Sequence, residues 1–422
     1  MKIALIGSGG REHALCHFLS KSKKVQKIFC LPGNAGTASI AENLPIDINN
    51  FEEIKKTVLK NKIDFVVIGP EKPLVDGLVD YLAKYRIKAF GPNRIASQLE
   101  GSKIFTKKMC EKYNIPTAKF GIFKNFQSAI DFLKNSIFPI VIKADGLASG
   151  KGVYISENID QGTQAVKEIF DGKFGEPEQI LIEEFLDGDE MSYFIISDGK
   201  SYKKFQTAQD HKRVFEGDMG KNTGGMGAYS PSKLINDNLD DKIIKKIIEP
   251  TLMGLKELGV SYEGFLYAGL MIHNDEPYLI EYNVRMGDPE CQTILPKLKI
   301  DLFDLIKSCI DKNLDSLNLD WSNDKSLCVV LCSKGYPDKF DNEIEISNLE
   351  NLNMSSNNEF IFHAGTKIVD GKIYSNGGRV LNFIKTSENF KESRDDIIKK
   401  INDLNWSNGF FRKDIGYKVI DE

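Results

Sequence analysis

The sequence FPIVIKADGLASGKGV, residues 138–153, joins a short apolar run to a glycine-rich loop. Residues 139–142 predict a strand that is buried on both faces and ends at Lys143. The loop after it contains three glycines and a second lysine: Gly146, Gly150, Lys151 and Gly152. Backbone N–H groups can converge on an anion where glycine leaves out a Cβ, and lysine neutralises the charge of the anion. The stretch therefore predicts a phosphate site, with a mobile surface loop as the alternative.

The composition is that of a soluble globular protein. The chain has 422 residues, of which 41% are hydrophobic and 27% charged, and typical domain sizes then predict about three domains. The net charge of −4 without a dense basic run disfavours a nucleic-acid partner. No apolar run reaches the roughly 18 residues of a membrane span, and the N-terminus is too short in apolar residues for a secretory signal. We expect a cytoplasmic protein with small-molecule ligands and no membrane partner.

The cysteines and histidines exclude two common kinds of site. The seven cysteines are odd in number and form no CxxC pair, so we expect free, mostly buried thiols. The five histidines have no zinc-ligand spacing. Any metal in this protein is therefore expected to be bound by oxygen atoms.

The first 92 residues predict a Rossmann-like parallel sheet. The strand patterns cover residues 2–7, 27–31, 63–69 and 89–90, and each is followed by a glycine or proline turn. In a parallel sheet such ends gather on one edge, where ligands bind.

The turn at residues 7–10 leads into a helix predicted to start near Arg11. Glu12 stands where a dinucleotide fingerprint needs its third glycine, and the second strand ends without the required acid. An NAD site is therefore disfavoured. A helix N-terminus beside an arginine can still bind a phosphate.

Residues 264–272 and 277–285 predict a β-hairpin. In its second strand a period of two places Glu281, Asn283 and Arg285 on one face. A carboxylate and an amide oxygen two residues apart are ligands suited to Mg²⁺ that also binds water and phosphate oxygens. An ordinary exposed polar face is the alternative.

The intervening segments have weaker patterns. Residues 102–113 and 241–258 have helical apolar spacing, and a separate unit runs from residue 118 to about residue 190. QDHKRV (209–214) is followed by the glycine-rich segment NTGGMGAYSP (222–231), which has neither period and therefore predicts a linker or a substrate loop.

After Trp321 the chain predicts a small β-rich domain. Its strand patterns lie at residues 326–337, 362–374 and 377–384, with a hairpin turn at Asp370 and Gly371. The run Gly377, Gly378 and Arg379 either faces the site or forms a tight turn.

Together these pieces resemble the ATP-grasp superfamily and, more closely, the phosphoribosylamine-glycine ligase (glycinamide ribonucleotide synthetase) family of purine biosynthesis. The resemblance extends over the whole chain. The blocks that carry it are GSGGREHAL (7–15), PGNAGTA (32–38), EGSKIFTKKM (100–109), IKADGLASGKGV (142–153), IEEFLDGDE (182–190), QDHKRV, NTGGMGAYSP, GFLYAGLM (264–271), EYNVRMGDPE (281–290), FHAGT (362–366) and NGGRV (376–380). Met286 departs from the family, which usually has an aromatic residue there, and we expect only repacking around it.

The resemblance implies an α/β and α+β multidomain fold. It places a Rossmann-like substrate domain at residues 1–101, an ATP-grasp domain of two α+β subdomains at 102–325, and a small β-rich domain at 326–422. The ATP-grasp domain includes a lid subdomain at 118–190. The implied reaction joins glycine to 5-phosphoribosylamine with ATP, through glycyl phosphate, and releases glycinamide ribonucleotide, ADP and phosphate.

The resemblance also implies roles for individual residues. For ATP these are Lys103 and Lys143 at the phosphates, Gly146, Gly150, Lys151 and Gly152 in a closing loop, Glu183, Glu184 and Leu186 at adenine, and Glu190 at the ribose. Glu281 and Asn283 would hold Mg²⁺ or Mn²⁺. The phosphoribosylamine residues would be Gly9, Gly10, Arg11, Asn34 and Glu71. The glycine and acyl-phosphate residues would be Asp210, Asn222, Gly224, Gly225, Arg285, Gly287 and Asp288, and the catalytic residues Arg285 and Lys143.

Three other functions are compatible with parts of the sequence. A nicotinamide oxidoreductase fits only the first 90 residues. A nucleotide sensor without turnover fits the ATP-grasp pattern, although the pair Glu281 and Asn283 argues against it. Another carboxylate-amine ligase of the superfamily is the nearest alternative. We expect a monomer or a weak dimer.

Overall fold

A computed structural model describes residues 1–147, 152–175, 178–352 and 357–420 of the chain. The N-terminal elements are β1 (Lys2–Gly7), α1 (Gly10–Ser20), β2 (Lys27–Pro32), β3 (Glu42–Asn43), α2 (Phe51–Asn61), β4 (Phe65–Ile68), α3 (Glu71–Asp76), α4 (Leu78–Ala83) and β5 (Lys88–Phe90). The strands form a parallel sheet in the order β3-β2-β1-β4-β5. Residues 3–6 of β1 are fully buried, as a central parallel strand requires. The predicted Rossmann-like sheet is confirmed.

The next segment forms an antiparallel sheet covered by helices. Its elements are α5 (Gln98–Gly101), α6 (Lys103–Lys112), β6 (Phe120–Phe123), α7 (Phe126–Leu133), β7 (Ile140–Ala144), β8 (Val153–Ser156), α8 (Ile159–Phe170) and β9 (Ile180–Glu184). The sheet, which we name the lid sheet, has the order β6-β9-β7-β8. Asn125 and Asn158 start α7 and α8 because their side-chain oxygens accept backbone N–H groups of the first turn.

Strand β7 is the buried strand predicted from the opening stretch. It extends one residue beyond Lys143, which pairs with Leu181 on one side and with Val153 on the other. The start of the glycine loop, at Gly146, and its end, at Gly152, are described. The predicted loop residues Gly150 and Lys151 lie outside the described residues.

The central part of the chain supplies two further sheets. Its elements are β10 (Asp189–Asp198), β11 (Tyr202–Lys204), β12 (Gln209–Asp210), β13 (Arg213–Phe215), β14 (Met219–Asn222), β15 (Gly227–Ser230), α9 (Asp237–Ile243), α10 (Glu249–Glu257), β16 (Glu263–His273), β17 (Glu276–Asn283), α11 (Glu290–Ile294) and α12 (Leu302–Ile310). Strands β11-β10-β16-β17 form one antiparallel sheet, and β13 and β14 form a separate two-stranded one. The predicted hairpin is confirmed as β16 and β17, and the predicted helix as α9 and α10, which the π-helical turn Ile244–Ile248 joins.

A β-bulge interrupts the hairpin next to the predicted metal residues. Gly269 pairs with Glu281, whereas its neighbour Leu270 pairs with Leu279, so Ile280 is the extra residue. Beyond the bulge the alternation resumes, and Glu281 and Asn283 lie on the same face as predicted.

The last sheet combines central and C-terminal strands. The remaining elements are β18 (Lys325–Ser333), β19 (Glu359–His363), β20 (Thr366–Val369), β21 (Lys372–Ser375), β22 (Arg379–Ser387), α13 (Phe390–Leu404), β23 (Gly409–Phe410) and α14 (Tyr417–Ile420). The sheet has the order β12-β15-β18-β22-β19, with β23 paired to β18. The predicted turn at Asp370 and Gly371 is confirmed between β20 and β21, since both residues have positive φ.

The prediction that residues 222–231 lack strand structure is wrong for their second half. Residues 227–230 form β15, which is buried along its whole length between β12 and β18. A strand buried on both faces shows no polar alternation. Gly227 is required there because a Cβ would lie 2.5 Å from the carbonyl oxygen of Cys328.

The C-terminal region contains one long helix besides its strands. α13 has 15 residues and starts at Asn389, whose side chain accepts the N–H of Glu392.

All seven cysteines are free and buried, as predicted. Among the described residues, no helix is long and apolar enough to cross a membrane.

Candidate active site

A cavity of about 790 Å³ opens where the sheets meet. The carboxyl ends of β1 and β4 form one wall, and the lid sheet and the β16–β17 hairpin form the others. The predicted site residues that line it are Gly9, Arg11, Glu71, Lys103, Lys143, Gly146, Gly152, Glu183, Glu184, Leu186, Glu190, Asp210, Asn222, Gly224, Glu281, Asn283, Arg285, Gly287 and Asp288. Gly10, Asn34 and Gly225 are not among its lining residues.

Two buried lysines share one carboxylate in the wall of the cavity. Nζ of Lys143 lies 2.7 Å from Oε2 of Glu183, and Nζ of Lys107 lies 3.0 Å from Oε1. Burial alone would raise the pKa of Glu183, but the two lysines outweigh it and hold the pKa below its ordinary value. The three side chains therefore carry a net positive charge toward the cavity.

Lys103 connects helix α6 to the glycine loop. Its ammonium donates a 2.8 Å hydrogen bond to the carbonyl oxygen of Gly146. Nearby, the carboxylate of Asp145 accepts the hydroxyl of Ser102 and the backbone N–H of Ile104 at the start of α6. Burial lowers the pKa of Lys103, although Glu281 partly opposes that effect.

The end of the cavity next to the lid sheet has an apolar lining with polar groups at its edge. Ile155, Leu186, Met271 and Leu279 line it. The side chain of Glu184 accepts the backbone N–H of Lys119 at 2.9 Å, so its backbone is held at the rim. Glu190 forms an ion pair with Lys212.

Glu281 and Asn283 project from β17 into the same cavity. Within the described residues, no hydrogen bond or ion pair occupies the side-chain oxygens of either residue. The described part of the chain contains no group of three histidine, cysteine or acidic side chains that could hold a metal. The two oxygen donors nevertheless fit an ion such as Mg²⁺, which takes most of its ligands from water and phosphate.

Arg285 is fixed by two carboxylates. It donates to Glu71 at 3.2 Å and to Glu100 at 2.8 Å. Burial opposes the ionisation of Glu71, but Arg285 and Arg11 hold its pKa at about 2. Burial raises the pKa of Glu100 to about 7, although Arg285 opposes this. The guanidinium of Arg285 is thereby oriented at the junction of the N-terminal sheet and β17.

The N-terminus of α1 is already occupied by carboxylates. The N–H of Gly9 donates to Oε2 of Glu12 at 2.7 Å, and the N–H of Arg11 donates to Oδ2 of Asp288 at 3.2 Å. Gly69 leaves room for Glu12, since a Cβ there would lie 2.1 Å from its Oε1. The prediction that these backbone groups bind a phosphate is therefore not supported by the geometry, and the side chain of Arg11 remains the candidate.

Comparison with known proteins shows which family this chain belongs to, and the similarity extends over the whole length of the chain. Phosphoribosylglycinamide synthetase profiles match residues 1–100 (N domain), 101–291 (ATP-grasp domain) and 326–418 (C domain). The chain belongs to the phosphoribosylglycinamide synthetase family. The phosphoribosylamine–glycine ligases of Brucella melitensis and Agrobacterium fabrum are 43% and 44% identical to it, covering 100% of this chain and 99% of each relative.

Solved structures agree with the family assignment. The crystal structure of phosphoribosylamine–glycine ligase from Thermotoga maritima is 32% identical, has a TM-score of 0.86, and covers 99% of this chain and 100% of that one. A biotin carboxylase from Campylobacter jejuni is 15% identical with a TM-score of 0.73, covering 95% of this chain and 90% of that one, which shows a shared fold. The predicted family, fold and class of enzyme, an ATP-dependent ligase that joins glycine to 5-phosphoribosylamine, are confirmed.

Two residues predicted for substrate in this synthetase family member do not line the cavity, and both contact the C-terminal region. The amide of Asn34 donates to the carbonyl oxygens of Ser8 and His363 at 2.8 Å, and its oxygen accepts two backbone N–H groups. A Cβ on Gly10 would lie 2.3 Å from Asn382. Both residues therefore join the N-terminal and C-terminal regions. The side-chain atoms of Asn34 and the space beside the Cα of Gly10 are taken up by these contacts.

The loop at residues 222–227, which was predicted to bind the substrate glycine, lines the cavity only in part. Asn222 and Gly224 face it, whereas a Cβ on Gly225 would meet the ring of Pro289 at 2.6 Å.

Arg379, considered as a possible site residue, does line the cavity and donates to the carbonyl oxygens of Gly224 and Asp288 at 2.6 Å. Met286 is buried, and its carbonyl oxygen accepts hydrogen bonds from Arg11 and Arg285.

Sequence reasoning missed several lining residues of this synthetase cavity. These are Glu12, Glu100, Lys107, Lys212 and Glu290. Lys107 could have been found, because it follows Lys103 by four residues and so lies on the same face of α6. For Glu100 and Glu290 the only signal was their position inside a matched block.

Proposed function

We propose that this cavity is where the chain phosphorylates glycine with ATP and transfers the glycyl group to 5-phosphoribosylamine. The observation that carries the proposal is the convergence of Lys103, Lys143, Glu281 and Asn283 on one cavity. Two ammonium groups and two unoccupied oxygen donors are the set that a triphosphate and its cation need.

In this proposal the nucleotide occupies the end of the cavity beneath the lid sheet. Lys103 and Lys143 hold the phosphates, and the loop that includes Gly146 and Gly152 closes over them. The adenine lies among the apolar lining residues, where backbone groups of Glu184 and Leu186 and the side chain of Glu183 read its edge. Glu190 holds the ribose hydroxyls.

Glu281 and Asn283 would hold Mg²⁺, with Mn²⁺ as a substitute. A bound divalent cation neutralises charge on the phosphate oxygens during transfer. The regular alternation after the bulge at Ile280 supports the assignment, because it places both side chains on one face at the end of β17.

The remaining lining residues surround the two other substrates. Arg11 and Glu71 hold 5-phosphoribosylamine at the N-terminal sheet, where Gly9 also lines the cavity. Glycine and the acyl phosphate lie against Asp210, Asn222, Gly224, Arg285, Gly287 and Asp288. Burial raises the pKa of Asp210 to about 7, so this carboxyl can change its protonation near neutral pH.

The chemistry consists of two displacements. A carboxylate oxygen of glycine attacks the γ-phosphorus of ATP, and ADP leaves. The amine nitrogen of 5-phosphoribosylamine then attacks the carbonyl carbon of glycyl phosphate, phosphate leaves, and the nitrogen loses a proton. Lys143 and Arg285 stabilise the charge that develops on the transferred oxygens, and the site holds the reactants in line.

The proposal includes three points of organisation. The domains divide at residues 101/102 and 325/326, although β12 and β15 add to the C-terminal sheet. The protein works in the cytoplasm, as a monomer or a weak dimer. Sedimentation at several protein concentrations would measure the last point.

The deciding experiment measures ADP release while one component is left out at a time. We expect release to require glycine, to be fastest with 5-phosphoribosylamine, and to stop without a divalent cation. With hydroxylamine in place of the amine substrate, glycyl phosphate should be trapped as the hydroxamate of glycine. ADP release that is independent of glycine would overturn the proposal.

A further inference from the structure

Lys107 is a buried lysine that the reaction scheme above does not use. It lies one turn after Lys103 on α6, and its side chain is 3% exposed. Its ammonium contacts Oε1 of Glu183 and donates to the hydroxyl of Thr117. That hydroxyl donates in turn to the carbonyl oxygen of Leu279 on β17 at 2.6 Å. A chain of polar contacts thus runs from the hairpin through α6 to the lid sheet.

The pairing of two lysines with one carboxylate is more than neutralisation requires. Burying a charge is unfavourable unless it is paired, and Lys143 alone would pair Glu183. With Lys107 present, the three side chains have a net charge of +1 instead of zero. Since both lysines and Glu183 line the nucleotide end of the cavity, this charge faces the ligand.

The geometry divides the two oxygens of Glu183 between the lysines. Oε2 lies 2.7 Å from Nζ of Lys143. Oε1 lies 3.0 Å from Nζ of Lys107 but has no well-aligned hydrogen-bond partner in the described part of the chain. Lys107 therefore acts on the carboxylate mainly through its charge. If Lys107 were neutral, nothing would offset the negative charge of Glu183 next to Lys143, and the ammonium of Lys143 would be drawn toward Glu183 and away from a phosphate.

We propose that Lys107 is a positioning residue that acts through Glu183 to leave Lys143 available to the nucleotide phosphates. The inference rests on the proposed function, because it takes the nucleotide to lie at this end of the cavity. It assigns no contact with glycine or 5-phosphoribosylamine to Lys107.

The test compares Lys107→Met with Lys108→Met, which changes the adjacent, exposed lysine of the same helix. Calorimetric titration with ADP and with a non-hydrolysable ATP analogue gives Kd without turnover, and thermal unfolding without ligand checks the fold. We expect Lys107→Met to raise both Kd values at least tenfold and the KM for ATP in parallel. The KM values for glycine and 5-phosphoribosylamine should stay within twofold, and Lys108→Met should match the parent.

Lys107→Gln provides a second variant if the methionine variant does not fold, since it removes the charge but keeps a hydrogen-bond donor for Thr117. It should raise the nucleotide Kd by a similar factor. A folded Lys107 variant that binds nucleotide as tightly as the parent would overturn the proposal. A parent protein that binds no adenine nucleotide would instead overturn the proposed function, so the two failures are distinguishable.

A double-mutant cycle tests whether Lys107 acts through Glu183. In the background of Glu183→Gln, adding Lys107→Met should change the nucleotide Kd by less than threefold, because the charge that it screens is gone. Equal effects of Lys107→Met in both backgrounds would show that Lys107 does not act through this carboxylate.

Discussion

The backbone N–H of Arg11 donates a 3.2 Å hydrogen bond to Oδ2 of Asp288, across 277 residues of the chain. The same carboxylate accepts the side-chain amide of Gln292 through Oδ1 and lies 3.4 Å from Arg379. Burial alone would raise the pKa of Asp288, but the two arginines hold it below the ordinary value. A carboxylate from the ATP-grasp segment thus occupies the anion site at the start of α1.

Asp288→Asn is therefore expected to destabilise the protein without ligands. An amide cannot serve as a charged acceptor for Arg11 and Arg379, and hydrogen bonds to charged groups contribute about 1.5–3 kcal/mol. Urea unfolding at pH 7 should show a loss of that size. Asp338→Asn, which changes an exposed ion pair with Lys221, should cost about 0.5 kcal/mol or less. Equal stability of the two variants would mean that the Asp288 contacts contribute little.

The side chain of Arg11 carries the second prediction. It is buried, bonded to Glu12 at 2.6 Å, and lines the cavity. Because the neighbouring backbone N–H groups are occupied, the phosphate of 5-phosphoribosylamine depends on side chains such as this one. Arg11→Ala should raise the KM for 5-phosphoribosylamine by about one to two orders of magnitude, from a charge-assisted contact of roughly 1.5–3 kcal/mol.

Steady-state kinetics with each substrate varied in turn measures the effect. The KM values for ATP and glycine should barely move. The variant should also unfold more easily, since it leaves Glu12 buried without its cation. Arg94→Ala, at an exposed arginine of the N-terminal region, serves as the control and should change none of these values. If the KM for ATP moves most, the N-terminal sheet binds a different ligand from the one assigned.

The third prediction is that Glu281→Gln keeps the fold but loses turnover. Glu281 makes no hydrogen bond or ion pair within the described residues, while a neutral amide holds Mg²⁺ more weakly. Thermal unfolding should be unchanged, and ADP release at moderate Mg²⁺ should fall by at least tenfold. Glu276→Gln changes a half-buried acid at the start of the same strand, which pairs with Lys242 and Lys246 outside the cavity, and should leave ADP release intact. Near-normal release by Glu281→Gln would remove this residue from the metal site.

The parts of the fold that the sequence predicted have strong local patterns. The buried strand that includes Lys143 and the hairpin that bears Glu281 and Asn283 follow from apolar runs, period-two alternation and turn residues. Strand β15 was missed because a strand of only four residues, covered on both faces, has no period to detect. Its stability comes from β12 and β18, which a local pattern does not reveal.

The same limit applies to the site. The strand-end position of Lys143 marked it as a candidate. Helical spacing places Lys107 on the same face of α6 as Lys103, but its pairing with Glu183, 76 residues later in the chain, could not be inferred from spacing. The pattern predicted a substrate contact for Asn34, but the structure does not bring it to the cavity lining, and an asparagine in a glycine turn is typical both of a ligand contact and of a structural cap. The structure distinguishes the two by the carbonyl oxygens of Ser8 and His363 that accept its amide.

The last prediction concerns the contact between α1 and β19, where three histidines are held neutral. Nδ1 of His13 accepts the backbone N–H of His363 at 2.8 Å, which requires His13 to be unprotonated at that nitrogen. Burial lowers the pKa of His363 to about 4 and that of His17 to about 4, and it also holds the pKa of His13 well below the ordinary value. Phe360 and Phe362 pack against the rings of His13 and His17 and offer no counter-charge.

Stability should therefore fall as the pH is lowered from about 6.5 toward 4. In that window the unfolded chain binds protons that the folded chain excludes, so the free energy of unfolding decreases with falling pH, by about 2 kcal/mol at pH 5 for His363 alone. Urea unfolding at pH 7 and pH 5 measures the loss, which should be smaller by about that amount in His363→Gln because glutamine does not titrate. His273→Gln, at an exposed histidine, should lose as much stability as the parent. An undiminished loss in His363→Gln would place the acid sensitivity elsewhere in the chain.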